Sequence, residues 1–167
     1  MTKLQRLECY AAQGDVESQF TLGLLYEEGK RVPRNEVKGF ALIQQAAEQG
    51  AAFASDTLSK LYMGRGEFTT ALKWLQRAAE QGLANAQGQL GIFYCTDKIV
   101  PKDDVKACAW LTVAAANDCP GGRDILDKRL SKLDARERAD VQKLATELLV
   151  KLPKISFREH AERVGLM

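Results

Sequence analysis

Apolar residues recur along this chain at helical spacing, and the same pattern occurs three times. It is carried by the segments LGLLY, LSKLY and LGIFY, which begin at Leu22, Leu58 and Leu90 and each follow a glycine by eight residues. Apolar positions three and four residues apart share one face of an α-helix, whereas a half-buried strand alternates apolar and polar residues. The pattern therefore predicts an all-α protein.

Three glycines mark the repeat. Gly14 closes the segment AAQG, and Gly50 and Gly82 each close AAEQG. The second unit spans 32 residues between its glycines and the first spans 36, and the missing residues fall where the first and third units carry Val-Pro. Each unit is predicted to fold as helix, turn and helix. Asn35 and Asp103 are the predicted N-caps of the second helices, because a short side-chain oxygen accepts from the exposed amides of a first turn.

These glycines divide the chain into a short array with caps. Residues 1–14 are predicted to form an N-terminal capping helix, and residues 119–152 a C-terminal capping helix pair whose second helix begins at the N-cap Asp134. Residues 153–167 are expected to be a tail or a short helix. The three repeats between the caps are residues 15–50, 51–82 and 83–118.

The repeat unit is similar to a known family. A-x-x-G, then LG-x-x-Y, then Val, Asp, Lys-Ala, Trp and Ala-Ala at these spacings resemble the Sel-one-like repeat, a branch of the tetratricopeptide superfamily. The third unit matches best, through Leu90, Gly91, Tyr94, Val100, Asp103, Lys106, Ala107, Trp110, Ala114 and Ala115. The first unit has Leu42 in the tryptophan position and Gly39 in that of the second-helix alanine, which predicts looser packing there. The resemblance implies an α-α superhelix, a solenoid of antiparallel helix pairs.

The resemblance also implies where a partner binds. In the tetratricopeptide superfamily the first helix of each repeat lines the concave wall that receives ligands, so the predicted wall consists of positions that point away from the Leu, Ala and Tyr core positions. They are Glu17, Phe20, Leu24 and Glu27 in the first unit, Phe53, Asp56, Lys60 and Met63 in the second, and Asn85, Gly88, Ile92 and Cys95 in the third. Such a wall suits a helix or an extended peptide. Phe20, Leu24 and Ile92 have a second interpretation, in which the N-terminal helix or the C-terminal cap covers them.

The distribution of charge does not favour a nucleic-acid or membrane partner. The net charge is +2, and acidic and basic residues are interspersed along nearly every segment. Residues 120–167 hold eleven Lys and Arg against eight Asp and Glu, an excess that leaves nucleic-acid binding as a weak alternative. The first fifteen residues lack the apolar core of a signal peptide, and no stretch is long enough to span a bilayer. We therefore expect a cytoplasmic protein.

No residue pattern predicts catalysis, a cofactor or a metal site. Acid–base and nucleophilic enzymes need a base within hydrogen-bond reach of the reacting group, and the single histidine is His160, in the C-terminal tail. Cys9, Cys95, Cys108 and Cys119 form no CxxC pair and are predicted to be reduced thiols, buried or half-buried. Secreted relatives described as penicillin-binding or β-lactamase-like carry a regular cysteine pair in each repeat, and this chain does not.

The sequence and its resemblance together predict a non-enzymatic, bacterial protein that binds another protein or a peptide, as a cytoplasmic scaffold or adaptor. A specific inhibitor or regulator of an enzyme or signalling component, comparable to an immunity protein that neutralises a toxin, is the alternative, because a short solenoid can plug a cleft. A monomer and a homodimer through the terminal helices are both compatible with the pattern.

Overall fold

The computed structural model describes residues 1–153, and within that range it contains helices and no strand. The nine α-helices of these residues are α1 (Lys3–Ala12), α2 (Val16–Glu28), α3 (Glu36–Glu48), α4 (Ala52–Gly64), α5 (Phe68–Glu80), α6 (Ala84–Tyr94), α7 (Asp104–Ala116), α8 (Arg123–Leu130) and α9 (Ala135–Lys151), and a short 3-10 helix, Pro120–Gly122, precedes α8. The prediction of an all-α superhelix is confirmed. No helix of this range is long and apolar enough to cross a membrane. The tail or short helix predicted for residues 153–167 lies, after Pro153, outside the described residues.

The helices pack in sequence order and form two layers. α2, α4 and α6, the first helices of the three repeats, form the A layer, and α1, α3, α5 and α7 form the B layer. One core cluster joins α3 and α4 through Ile43 and Leu58, and another joins α5 and α6 through Leu75 and Leu90. These four side chains are at most 1% exposed. The hydrophobic core therefore runs along the array between the two layers.

Polar side chains begin three of the helices where the sequence predicts them. Asn35 Oδ1 accepts from the amide three residues later at 3.0 Å, and Asp103 Oδ1 does the same at 2.9 Å. Asp134 and Glu137 form a capping box, in which each carboxylate accepts from the other residue's amide. The predicted N-caps of α3, α7 and α9 are confirmed, and they satisfy amides that have no partner within the helix.

The repeated glycines are required by the turn from each B-layer helix into the next A-layer helix. Gly14, Gly50 and Gly82 have φ angles of 90°, 99° and 93°. Residues with a Cβ rarely adopt this left-handed conformation, whereas glycine does so without strain. The glycine repeat is thus a backbone requirement of the fold.

Buried amides connect consecutive repeats close to these turns. Gln87 is fully buried, donates from Nε2 to Ala79 O at 3.1 Å and accepts at Oε1 from Asn117 Nδ2 at 2.9 Å. Gln19 forms the equivalent two bonds in the first repeat, at 3.3 and 2.7 Å. The carbonyls of Ala11 and Ala79 already accept from the amides of the turn glycines that follow them. The glutamines of the A layer add a second donor to these ends of the preceding B-layer helices.

In the second repeat a different residue forms the hydrogen bonds between consecutive repeats. Ser55 stands where the other repeats have Gln19 and Gln87, and its side chain is too short to reach the preceding helix end. Gln81 instead donates from Nε2 to Gly50 O at 2.9 Å and accepts from Ser55 Oγ at 3.2 Å. The bridge between repeats is therefore kept, although its donor comes from the other helix of the unit.

Helices α2 and α3 approach each other more closely than the sequence predicted. A Cβ added to Gly39 would lie 2.9 Å from Gly23 O, and one added to Gly23 would lie 2.7 Å from Ile43 Cγ1, which is closer than real Cβ atoms approach other groups. The expectation of looser packing at Gly39 is wrong, because the missing side chain lets the two backbones come together.

Helices α8 and α9 both pack against α7. Arg129, at the end of α8, forms an ion pair with Asp104 at the start of α7, so the two helices are antiparallel. Ala145 of α9 packs in a small cluster with Ala109 and Val113 of α7. The last repeat is therefore covered by the chain itself.

Candidate interaction surface

One face of each A-layer helix is turned away from the B layer. The buried side chains of α2 lie at positions 18, 19, 22 and 23, so positions 17, 21 and 24 are on the opposite side of the helix. The equivalent positions on α4 and α6 are likewise not buried. We call these nine residues the A-layer strip: Glu17, Thr21, Leu24, Phe53, Thr57, Lys60, Asn85, Gln89 and Ile92.

Six residues of the predicted wall lie on this strip. Lys60, Asn85 and Ile92 are exposed, and Ile92 keeps 39% of its surface accessible. The other three are half-buried: Glu17, Leu24 and Phe53. The strip therefore presents apolar and charged groups side by side across three repeats.

The aromatic residues of the predicted wall take part in the core. Phe20, which flanks the strip, and Leu24 pack against the cluster between α3 and α4, and Phe53 packs against the cluster between α5 and α6. Neighbouring repeats thus cover part of each side chain. Replacing either phenylalanine with a charged residue would disturb the core as well as the surface.

Asp56 is buried and positions a cation on the strip. Only 7% of its surface is exposed, and its Oδ2 accepts from Lys60 Nζ at 2.6 Å. Its Oδ1 is also buried and has no hydrogen-bond partner among the described residues. The carboxylate is therefore not presented to a partner, whereas the lysine that it holds is exposed at the surface.

Glu27 is directed towards α3 and away from the strip. Its Cγ would lie 2.9 Å from a Cβ added to Gly39. Burial, and after it the negative charge of Glu36, raise the pKa of Glu27, whereas Arg65 and Arg34 act in the opposite direction. The environment of this carboxyl is thus set by the packing of α2 on α3.

Three further positions of the predicted wall lie beside the strip. Met63 is half-buried near the end of α4, and Cys95 is buried after α6. A Cβ added to Gly88 would lie 3.7 Å from both Ala114 Cβ and Cys119 Sγ, so this position faces the following turn. The sequence prediction missed three strip residues, which are Thr21, Thr57 and Gln89. Thr21 is four residues after Glu17 and three before Leu24, so helical spacing places it on the same face, and Thr57 and Gln89 are its equivalents.

Comparison with known proteins identifies the repeat. The family model described as Sel1 repeat matches residues 16–50, 66–83 and 84–119, which is more than half of the chain. The chain belongs to the Sel1 repeat family. The resemblance inferred from the sequence is therefore confirmed, and Sel1 repeats are in general protein-interaction modules.

Two solved structures support the same assignment. A Sel1 repeat protein from Oxalobacter formigenes is 32% identical, with a TM-score of 0.72, and the match covers 77% of this chain and 99% of that one. A protective antigen of uropathogenic Escherichia coli that displays an SLR fold is 25% identical, with a TM-score of 0.55, over 98% of this chain and 43% of that one. A search of curated proteins gives no match.

The Sel1 match omits one helix that the structure shows. Residues 51–65, which include α4, are not part of it, although α4 has the same length and position as α2. The sequence of α4 differs from the other two first helices at a buried position, where Ser59 replaces the glycine found as Gly23 in α2 and Gly91 in α6. The structure therefore extends the array through a unit that the family model matches only in part.

The cysteines of this Sel1 repeat protein differ in environment. Cys95 and Cys108 are buried and Cys119 is half-buried, but Cys9 is exposed, in contrast to the sequence expectation. Burial, followed by the proximity of Cys95 and Asp104, raises the pKa of Cys108 to about 11, and burial also raises the pKa of Cys95. Among residues 1–153 no group of three His, Cys, Asp or Glu side chains could hold a metal ion. His160 lies outside the described residues.

Proposed function

We propose that this Sel1 repeat protein is a non-enzymatic cytoplasmic scaffold or adaptor that binds a protein or peptide along the A-layer strip. The observation that carries the proposal is the continuity of the strip, whose residues occupy equivalent positions on α2, α4 and α6. The equivalent positions recur once in each repeat, so the strip offers a row of contact points that an extended peptide or a helix can follow.

The chemistry of the strip supports a partner with both apolar and acidic groups. Ile92 provides an exposed apolar side chain, and Lys60 provides a cation that Asp56 holds in place. Fixing a side chain before binding reduces the entropy that association costs. An acidic group of the partner that reaches Lys60 would therefore bind a partly preorganised site.

The proposal can be tested by affinity capture from a lysate of the source organism with quantitative mass spectrometry. A double variant, Lys60→Gln with Ile92→Glu, changes the two strip residues argued to contact the partner, and Phe20 and Phe53 are left intact because they pack in the core. Its matched control is Lys73→Gln with Val150→Glu, at exposed positions on other surfaces.

We expect the wild type and the control to enrich the same partner, and the strip variant to lose it at least tenfold while keeping its helical circular dichroism. Equal enrichment by the strip variant would assign the partner to another surface and refute the proposed site.

A further inference from the structure

The B layer contains three equivalent grooves, each between two successive helices and above the A-layer helix that joins them. The residue seven positions after the N-cap of each second helix determines how the groove is filled. It is Leu42 in α3, Trp74 in α5 and Trp110 in α7. The three grooves have different contents although the backbone repeats.

The groove between α3 and α5 is filled by the chain's own side chains. Trp74 packs against the core cluster that includes Ile43 and Ala46. The guanidinium of Arg77 lies 5.3 Å from the centre of the indole ring and donates to Glu48 O at 3.0 Å. A tryptophan and the arginine that covers it thus close this groove.

The groove between α5 and α7 is filled by a helix. Trp110 is only 7% exposed, and Leu148 of α9 and Leu152, the C-cap residue of that helix, pack against the cluster to which it belongs. Ala145 packs against α7 at Ala109 and Val113. A helix that presents a small residue and a leucine, with a second leucine at its C-cap, therefore fits this repeat geometry.

The groove between α1 and α3 is open and has a volume of about 680 Å³. Leu42 replaces the tryptophan, and Gln45 stands where the other repeats have Arg77 and Val113. Its floor includes Leu22 and Tyr26 of α2, and its walls include the exposed alanines Ala12 and Ala41. Small walls and an apolar floor leave room for the side chains of another element.

We propose that this first groove binds an amphipathic helix of another protein in the manner in which the third groove holds α9. The fit requires a small residue at one position and large apolar residues three and seven positions later, as in Ala145, Leu148 and Leu152. Glu8 lies on the α1 wall and Lys38 on the α3 wall, so the helix carries a basic residue on one flank and an acidic residue on the other.

The site is separate from the A-layer strip. The floor residues Leu22 and Tyr26 are on the side of α2 that faces the B layer, whereas Glu17 and Leu24 are on the opposite side. The proposal therefore stands or fails independently of the function proposed for the strip.

The test uses the full chain and a fluorescein-labelled peptide with the sequence of residues 135–152, whose apolar face the third groove already accepts. Fluorescence anisotropy should show saturable binding. Leu42→Trp restores the residue of the other repeats and should weaken the peptide at least tenfold. Ala41→Arg changes an exposed residue of the groove wall and should also weaken the peptide at least tenfold. This variant provides the test if Leu42→Trp does not fold. A peptide with both leucines changed to glutamate should not bind.

Two further results show whether the peptide binds in the first groove or elsewhere. The strip variant Ile92→Glu should bind the peptide within twofold of the wild type, which separates this site from the strip. Unchanged affinity in Leu42→Trp and Ala41→Arg would show that the peptide binds elsewhere, and would overturn the proposal.

Other occupants of the groove are tested in parallel. Sedimentation of the wild type as a dimer that Leu42→Trp dissociates would assign the groove to a second copy of the chain. Displacement of the probe by a peptide of residues 154–167 would assign it to this chain's own C-terminal segment. Either result would refute a partner from another protein.

Discussion

At the residue scale, the contacts between repeats depend on a few buried polar groups. Gln19 and Gln87 each join a helix end of one repeat to the turn of the next. A buried hydrogen bond contributes modestly when it is formed, but an unpaired buried donor or acceptor is costly. The correct stacking of neighbouring repeats, which pairs these amides, is therefore favoured over arrangements that would leave them unpaired.

Gln87→Ala should lower the free energy of unfolding by about 1–3 kcal/mol, because Asn117 Nδ2 loses its acceptor and Ala79 O keeps only its bond from the Gly82 amide. Urea denaturation followed by circular dichroism measures this difference. Gln76→Ala is the matched control, since Gln76 is exposed and bonds only to Glu80 in its own helix at 3.1 Å, and its effect should stay below about 0.5 kcal/mol. Equal losses in the two variants would contradict the role given to Gln87.

Burial also determines the reactivity of the cysteines. With a pKa of about 11, roughly one Cys108 thiol in a thousand is a thiolate at pH 8, and the side chain is inaccessible. Iodoacetamide should therefore alkylate the exposed Cys9 first and Cys108 last, as peptide mass spectrometry resolves them. Alkylation of Cys108 as fast as Cys9 in the folded protein would show that this part of the core opens readily.

The bonds of the buried amides were not predicted from the sequence, although the AAEQG motif that contains Gln49, the partner of Gln19, was. Gln49 and Gln19 are 30 residues apart in different helices, so local periodicity carries no sign of their bond. Some positions of the predicted wall lie on the strip and others do not, and the angle around the helix axis explains the difference. Leu24 is about 20° from Glu17 and lies on the strip. Glu27 is about 80° from Glu17, and its side chain is therefore directed towards α3.

At the element scale, the distance between paired helices is set by small residues at the crossing. α2 and α3 meet at two glycines, and α6 meets α7 at Gly91 and Ala107. The N-caps and the turn glycines were predictable because each acts within a few residues of chain. The close crossing was not, since a missing side chain can indicate either a gap or a close approach until the partner helix is placed.

Gly39→Ala should destabilise the protein by about 1–3 kcal/mol, because the added methyl group meets the backbone of α2. The gain in helix propensity, about 1 kcal/mol, offsets part of this loss. Gly64→Ala is the control within a helix, since no atom lies within 4 Å of the added Cβ, and it should be neutral or stabilising by up to about 1 kcal/mol. Thermal unfolding of both variants tests the pair, and a Gly39→Ala variant as stable as the wild type would mean that α2 and α3 can separate without cost.

At the scale of the whole molecule, the two ends of the array differ. The C-terminal repeat is covered by α8 and α9, whereas the N-terminal repeat keeps an open groove above α2. Stacked repeats need their terminal faces covered, and α1 covers α2 only in part. The strip and the groove lie on opposite sides of α2, so the two proposed binding sites do not overlap.

The central claim is that the A-layer strip contacts the protein partner, and site-specific photocrosslinking tests it most directly. A benzophenone amino acid is placed at Thr57 or Gln89 on the strip, and at the exposed positions Lys73 of α5 or Glu147 of α9, which lie outside both the strip and the first groove. Irradiation in the native lysate should give a crosslinked partner from the two strip positions and none from Lys73 or Glu147. Crosslinks from Lys73 or Glu147 with none from Thr57 or Gln89 would contradict the claim.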